Sequence, residues 1–393
     1  VVVGGGPAGS AVATLLARAG RDVLLLDAAR FPRDKVCGEG ISPGAWPLLE
    51  RLGAAEDVRS LAPRPLRGMR LVSPDGTAFQ GSYRGEGRAG FAVRRLALDA
   101  ALLSVARRAG AEVREGVPVR DLLQEGGAVT GVLVEEGACR RFVRARVVVG
   151  ADGRRSVVGR RLLLLREHRR LRRFAVRGHW EGMEGLADFG EMHVAAGGYC
   201  GVAPLPDGAA NVAFVLDRRA MAPAAGDLEG FYRGSLRRLW PRLAERLHRA
   251  RLLEPPRAVG PLALECRSAS APGAVLVGDA AGFYDPFTGE GVTLALRTAE
   301  MAAAAVLRAL DTPGASTHFL AGYERERRAA TRGKFRFNRM LQLAVSSRRA
   351  ADAVARRLAR RPDIADRLVG VAGDFEPAQS LVSPRLVWDL LTA

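Results

Sequence analysis

The sequence predicts a two-lobed α/β fold, in which a discontinuous parallel sheet carries an inserted antiparallel sheet and a helical C-terminal tail. Three observations lead there. The chain opens on a strand–helix–strand pattern, two later glycine–acid turns each follow a short buried strand, and the stretch between them alternates in the manner of an antiparallel sheet. At 393 residues the chain is long enough for two lobes.

Taken in order, Val1-Val2-Val3 reads as a buried strand, Pro7 to Ala19 has helical spacing, and Asp22 to Asp27 is a second apolar strand. Gly38 to Leu52 is a Gly/Pro-broken loop leading into a short helix. Leu66 to Tyr83 reads as strands around a turn at Ser73-Pro74-Asp75-Gly76. Arg95 to Ala109 is an amphipathic helix stopped by Gly110, a hairpin follows around Gly126-Gly127, and Ala145 to Val149 is another buried strand. Phe174 to Leu216 alternates between Gly and Pro turns, and Asp227 to His248 is helical. Ala274 to Val277 is a short buried strand, a helix runs from Gly289 to Leu310, and Phe319 to Arg361 is helical up to Pro362. The expected division is 1–66, 91–170 and 257–330 for the nucleotide lobe, 67–90 and 171–256 for a substrate lobe, and 331–393 for the helical C-terminal region.

Composition removes several function classes. The net charge is +18, but the basic residues are nearly all Arg, with Lys only at Lys35 and Lys334, and no aromatic stacking residues or reading helix accompany them. Nucleic acid is therefore not the expected partner. Cys37, Cys139, Cys200 and Cys266 are far apart without a CxxC pair, and the five histidines lack metal-ligand spacing, so no metal or disulfide framework is expected. No apolar run reaches membrane-spanning length and no leader segment precedes the opening strand, so a cytoplasmic location is expected. The sequence sets no oligomeric state.

Gly4-Gly5-Gly6-Pro7-Ala8-Gly9 fits G-x-G-x-x-G between a strand and a helix. Gly4 allows the tight turn, Gly6 leaves room for a pyrophosphate, and Gly9 lets the helix lie against the sheet. Asp27 ends the second strand where a carboxylate receives ribose hydroxyls. Gly85 to Gly90 fits the same expression without that context and reads as a loop. Two more turns follow buried strands: Gly150-Ala151-Asp152-Gly153, and Gly278-Asp279-Ala280-Ala281-Gly282 running into Asp285-Pro286-Phe287-Thr288-Gly289-Glu290-Gly291. Each alone is an ordinary loop; their joint occurrence, in this order and each after a buried strand, is hard to reach by chance.

This trio resembles the FAD-binding signature of para-hydroxybenzoate hydroxylase-type flavoproteins, within the glutathione-reductase-type FAD fold, and the likeness covers the chain to about Leu310. The resemblance implies that Asp279 holds a ribityl or ribose hydroxyl and that Asp152 and Gly153 sit near the pyrophosphate. Pro286, Gly289, Glu290 and Gly291 would bring a helix N-terminus to the flavin, and Arg95, four residues before Asp99, would neutralise the pyrophosphate.

Pro32-Arg33-Asp34-Lys35-Val36-Cys37-Gly38 is similar to the P-R-x-K-x-C-G segment of the geranylgeranyl reductase family. There the loop passes close to flavin and substrate, which makes Arg33, Lys35, Cys37 and Gly38 cofactor contacts and Cys37 a candidate catalytic residue. Buried thiols are also simple packing residues. The family's aromatic Y-x-W-x-F-P segment corresponds to Tyr199 to Pro204, where Tyr199 and Pro204 match but Gly201 and Ala203 replace two rings. A wider pocket is implied, one that takes a prenyl, quinone, polyketide-like or carrier-bound apolar substrate.

The resulting expectation is an FAD-dependent oxidoreductase that reduces C=C bonds by hydride transfer. With no second nucleotide domain, NAD(P)H or another redox protein must dock transiently as the electron donor. The alternative is a monooxygenase acting through a flavin hydroperoxide, and the minor alternative a non-catalytic flavin-binding protein. The W-x-W-x-I-P segment of the related halogenases is absent, and Trp180 has no second Trp nearby. The Arg-rich tail, Arg348 to Arg361, reads as a solvated face, with peripheral membrane contact as the sharper alternative.

Overall fold

Short, apolar, fully buried strands suit the middle of a parallel sheet, and the chain supplies them from three separate regions. The structure is a computed structural model that describes residues 1–376 apart from 86–88, 169–170, 225 and 313–315. Its central sheet has six strands in the order Ser270–Ala271, Ala274–Leu276, Val148–Gly150, Val2–Val3, Leu24–Asp27 and Glu112–Glu115. All neighbours are parallel except the edge pair Ser270–Ala271 with Ala274–Leu276. Val2 pairs with both Val149 and Leu25, and Val148 pairs with Ala274. The strands preceding the three glycine–acid turns are therefore neighbours, and all three turns leave the same end of the sheet.

The second sheet has eight strands, built mainly from Arg173–Glu181, Ala210–Asp217, Gly198–Pro204 and Gly190–Ala195 in antiparallel order. Gly68–Val72 joins Gly190–Ala195 in parallel and pairs with Ala78–Ser82, so an early segment completes a late sheet. One face buries Phe214, Trp180 and Val212 against Tyr232, Leu236 and Trp240. The helical stretch expected from Asp227 to His248 is two helices, Leu228–Leu239 and Pro241–Arg246, because proline starts a helix well but cannot continue one. The opposite face carries Tyr199, Met192, Val194 and Val215, packed with Phe287 and Leu262.

The long helix Ser316–Ser346 leads into Arg348–Arg360, and Pro362 opens a further helix, Pro362–Ala372. The apolar stripe Ala355 and Leu358 is buried against Phe79, Phe337 and Ile364, which leaves the arginines of this segment on the outer side. Among the described residues no helix is long and apolar enough to cross a membrane. All four cysteines are free. The loop expected at Gly85 to Gly90 lies partly outside the described residues, as does the tail beyond 376. Gly90 itself opens the strand Gly90–Ala92.

Candidate active site

The three turns touch one another. Gly4 has φ +103°, and a Cβ there would stand 2.6 Å from the Ala151 carbonyl oxygen and 2.8 Å from Asp152 Cα. Gly278, at φ +58°, packs on the first helix, with Ala8 Cβ 3.0 Å from the place its own Cβ would occupy. Gly9 lies closest of all: its Cβ would fall 1.8 Å from the Gly4 carbonyl oxygen. Gly4, Gly9 and Gly278 thus have steric duties within the protein, independent of any ligand. Asp27 accepts from the Gly5 amide at 2.6 Å and from the Ala29 amide at 2.8 Å, which ties the second strand to the first turn.

A second set of glycines faces open space. Among the described residues nothing lies within 4 Å of a Cβ placed on Gly38 or Gly291; Gly6 would meet only Arg33 Nη2 at 3.5 Å, Gly153 only Lys35 Nζ at 3.8 Å, and Gly289 only the Gly40 carbonyl at 3.9 Å. Room beside Gly6 and Gly153, each next to a cationic side chain, is what a dinucleotide pressed against backbone requires. Gly6 also caps Pro7–Arg18 without a side-chain acceptor, and Glu290 does the same for Gly291–Asp311. Both helices therefore present unpaired amides and a positive dipole end. Asp152 Oδ2 accepts from the Val157 amide at 2.6 Å, while its buried Oδ1 has no hydrogen-bond partner among the described residues. Burial raises the Asp152 pKa. The residues present fit FAD.

The segment from Arg33 to Glu39 spreads its side chains among partners in both sheets and in all three turns' surroundings. Arg33 reaches Asp99 at 3.1 Å and Asp27 at 3.9 Å, and Lys35 reaches Asp279 at 3.4 Å. Asp34 pairs with the buried Arg177, and with Arg257 at 3.3 Å. Val36 joins the apolar cluster of Tyr199 and Phe287. Cys37 Sγ accepts from the Glu39 amide at 3.4 Å and lies against the Arg95 guanidinium. Burial opposes the charge of Arg95, but the bidentate Asp99 carboxylate, 2.8 and 2.7 Å away, and Cys37 together hold its pKa above the ordinary arginine value. Arg95 is thus spent on Asp99 and Cys37, and the guanidinium beside Gly6 is that of Arg33.

The third turn is anchored from both sides. Asp285 accepts from Tyr199 Oη at 2.5 Å, from Gln342 at 2.7 Å and from Arg173 at 3.0 Å. Burial raises the pKa of Asp285, and burial with the neighbouring carboxylate raises that of Tyr199. Tyr199 is therefore a buried strut between the sheet and the loop carrying Pro286, rather than a freely exposed wall. Gly201 and Ala203 share its face, because side chains alternate along a strand. A Cβ on Gly201 would meet only its own sheet, at 3.7 Å or more. Pro204 ends the strand. Trp180 lies on the helix-covered face and donates to Tyr232 Oη at 3.0 Å. Glu290 points to Lys334 at 3.1 Å, and burial pushes its pKa up to about 7.

Sequence reasoning missed Glu39, His179 and Asn211. All three are buried; His179 Nε2 lies 2.7 Å from Glu39 Oε2, and Asn211 Nδ2 donates to that oxygen at 2.8 Å. The spacing of the histidines singles none of them out, whereas His179 sits inside a charged cluster. A signal was present: in the strand Arg173–Glu181 the buried Arg177 and His179 alternate with Val176, Gly178 and Trp180, which puts two polar side chains on one face of a buried stretch.

The comparisons agree with this geometry. A family model described as an FAD binding domain matches residues 1–337. A menaquinone reductase of Mycolicibacterium smegmatis is 33% identical over 317 residues, covering 77% of this chain and 75% of that protein. A digeranylgeranylglycerophospholipid reductase of Methanocella arvoryzae is 30% identical over 345 residues, covering 84% and 82%. The crystal structure of CmlS, a flavin-dependent halogenase, superposes with TM-score 0.83 at 25% identity, over 98% of this chain and 76% of that one.

Proposed function

Since this chain belongs to the FAD-binding domain family of flavoproteins, in its geranylgeranyl reductase branch, we propose that it is an FAD-dependent oxidoreductase reducing carbon–carbon double bonds of an apolar substrate. Prenyl, quinone and polyketide-like compounds are the substrate class. The observation carrying this reading is the convergence of three glycine–acid turns at one end of the parallel sheet, with room left beside Gly6 and Gly153. FAD, when bound, supplies hydride chemistry.

The chain's residues do the rest. Gly4, Pro7, Ala8, Gly9 and Gly278 shape the backbone that receives the dinucleotide, Asp27 and Asp279 accept its hydroxyls, and Arg33 and Lys35 offset its phosphates. Asp152 and Gly153 approach the pyrophosphate, while Pro286 and the Gly289 to Gly291 turn aim a helix N-terminus at the ring. Gly201 leaves room for substrate where a larger ring would close the space, Ala203 packs against Leu66, Ala92 and Leu205 at the end of that face, and Tyr199 and Pro204 fix the strand that carries them. Cys37 Sγ, held by the Glu39 amide and Arg95, is the candidate proton-holding atom. Electrons come from NAD(P)H or another donor that docks transiently.

The exposed side chains of Met340, Leu343 and Val354, set among exposed Arg336, Arg339, Arg348 and Arg349, support peripheral contact with an anionic membrane carrying such a substrate. The likeness to a halogenase favours a second reading, oxygen-dependent oxidation on the same scaffold. Turnover of a prenylated quinone with and without oxygen separates the two. The proposal expects a product that gains hydrogen in the absence of oxygen; a product formed only with oxygen, and carrying an atom of it, contradicts the proposal.

A further inference from the structure

The loop bearing Cys37 is held in an unusual backbone state. Glu39 has φ +60°, a left-handed conformation that costs a side-chain-bearing residue about 1 kcal/mol or more. Its neighbours on both sides are glycines, yet the residue in the strained position carries a carboxylate that is only 1% exposed. That carboxylate is fully engaged. Oε1 accepts from the Arg95 amide at 2.8 Å, at the head of the helix Arg95–Arg108 in the nucleotide lobe. Oε2 receives Asn211 Nδ2 at 2.8 Å and His179 Nε2 at 2.7 Å, from the antiparallel sheet.

His179 and Asn211 are register partners on adjacent strands, so they approach the loop side by side. Asn211 Nδ2 also donates to the Cys37 carbonyl at 2.9 Å. On its other side His179 Nδ1 lies 2.6 Å from Glu254 Oε1, whose side chain is 39% exposed, and Arg177 Nη1 bonds the same oxygen at 3.0 Å. One glutamate thus takes hydrogen bonds from both lobes at a residue whose backbone is left-handed, two positions from the candidate thiol.

We infer that Glu39, gripped by His179 and Asn211 from the sheet and by the Arg95 amide from the nucleotide lobe, is the positioning residue that fixes Cys37 at the candidate flavin site. The inference rests on the proposed function only for what the loop faces. Without the grip the strained backbone relaxes and Cys37 leaves the Arg95 guanidinium. Glu39 and His179 act as one device, because His179 reaches the loop through Glu39 Oε2 and loses that bond when Glu39 is replaced.

The test is alkylation of the full-length protein by iodoacetamide, with Cys37 and Cys139 quantified by peptide mass spectrometry. Cys139 is exposed in a distant hairpin and serves as an internal reference. Glu39→Gly removes the carboxylate without adding backbone strain, and His179→Gln removes the sheet-side partner. Each should raise the Cys37-to-Cys139 labelling ratio roughly tenfold, the scale of one lost charge-assisted bond in a local opening equilibrium. Because the pair acts as a unit, the double variant should stay within about twofold of the larger single effect. Ratios unchanged in both variants, or effects that multiply in the double, overturn the inference. If these variants do not fold, the half-exposed Glu254→Gln decides: a rise of about threefold is expected, and an unchanged ratio overturns the inference. Added FAD should slow Cys37 labelling in the unaltered chain. Failure of that arm alone contradicts the flavin reading of the loop and leaves the clamp standing.

Discussion

Lys35 Nζ lies 3.4 Å from Asp279 Oδ2, joining a loop near the N-terminus to a turn 244 residues further along the chain. The same ammonium is the nearest group to the space over Gly153. One lysine therefore touches the surroundings of the second and third turns, where a pyrophosphate would bring negative charge. Lys35→Met should weaken FAD binding about tenfold, the scale of one lost charge-assisted contact, with little change in unfolding temperature because the ion pair is partly exposed. Titration followed by flavin fluorescence, beside a melt of the apoprotein, checks both parts.

Gly6 and Gly9 make opposite predictions from the same substitution. A methyl on Gly9 would stand 1.8 Å from the Gly4 carbonyl, so Gly9→Ala should destabilise the apoprotein by several kcal/mol or prevent soluble expression. A methyl on Gly6 meets only Arg33 Nη2, at 3.5 Å, so the Gly6→Ala apoprotein should melt within a few degrees of the unaltered chain. Denaturant unfolding of both variants makes the comparison.

Glu290 carries a pH dependence whose sign follows from its raised pKa of about 7 against an ordinary value of 4.5. Between these values the folded state holds a proton that the unfolded state has released. Its contribution to stability is therefore full below about pH 4.5 and is lost as pH rises through about 7. Glu290→Gln should flatten that part of the stability profile. Unfolding midpoints of both proteins from pH 4 to pH 8, on the order of one measurement per half unit, test it; parallel profiles would remove Glu290 as the cause.

A Cβ on Gly201 would make only ordinary contacts, at 3.7 and 3.8 Å. Gly201→Trp should raise KM for bulky substrates more than for slender ones and leave FAD affinity within about twofold, because Gly201 lies on the antiparallel sheet and in none of the three turns. Steady-state kinetics with a long and a truncated prenyl substrate distinguish this from general damage, which would lower turnover with both.

The parts of the fold visible in the sequence are those written locally. The turns at Gly4, Asp152 and Asp279 each follow a buried strand, and a strand followed by Gly and an acid is readable one segment at a time. Their adjacency in the sheet was expected only through a family resemblance, and the pairing of Val148 with Ala274 supplies it physically. The partners of Glu39 were not legible. His179 and Asn211 lie 140 and 172 residues away, and nothing local marks a glutamate between two glycines as the strained member. Arg95 illustrates the opposite difficulty. Its spacing to Asp99 reads correctly as one helical turn, but spacing alone does not say that the pair is closed on itself with Cys37.

The most direct measurement is an FAD titration of the apoprotein, unaltered and as Gly6→Ala, followed by visible absorbance. The room beside Gly6 predicts uptake of about one FAD per unaltered chain and affinity reduced roughly a hundredfold or more in the variant, since the added methyl holds a phosphate away from the helix amides. An unaltered chain that takes up no FAD, or a Gly6→Ala chain that binds it equally well, contradicts the account.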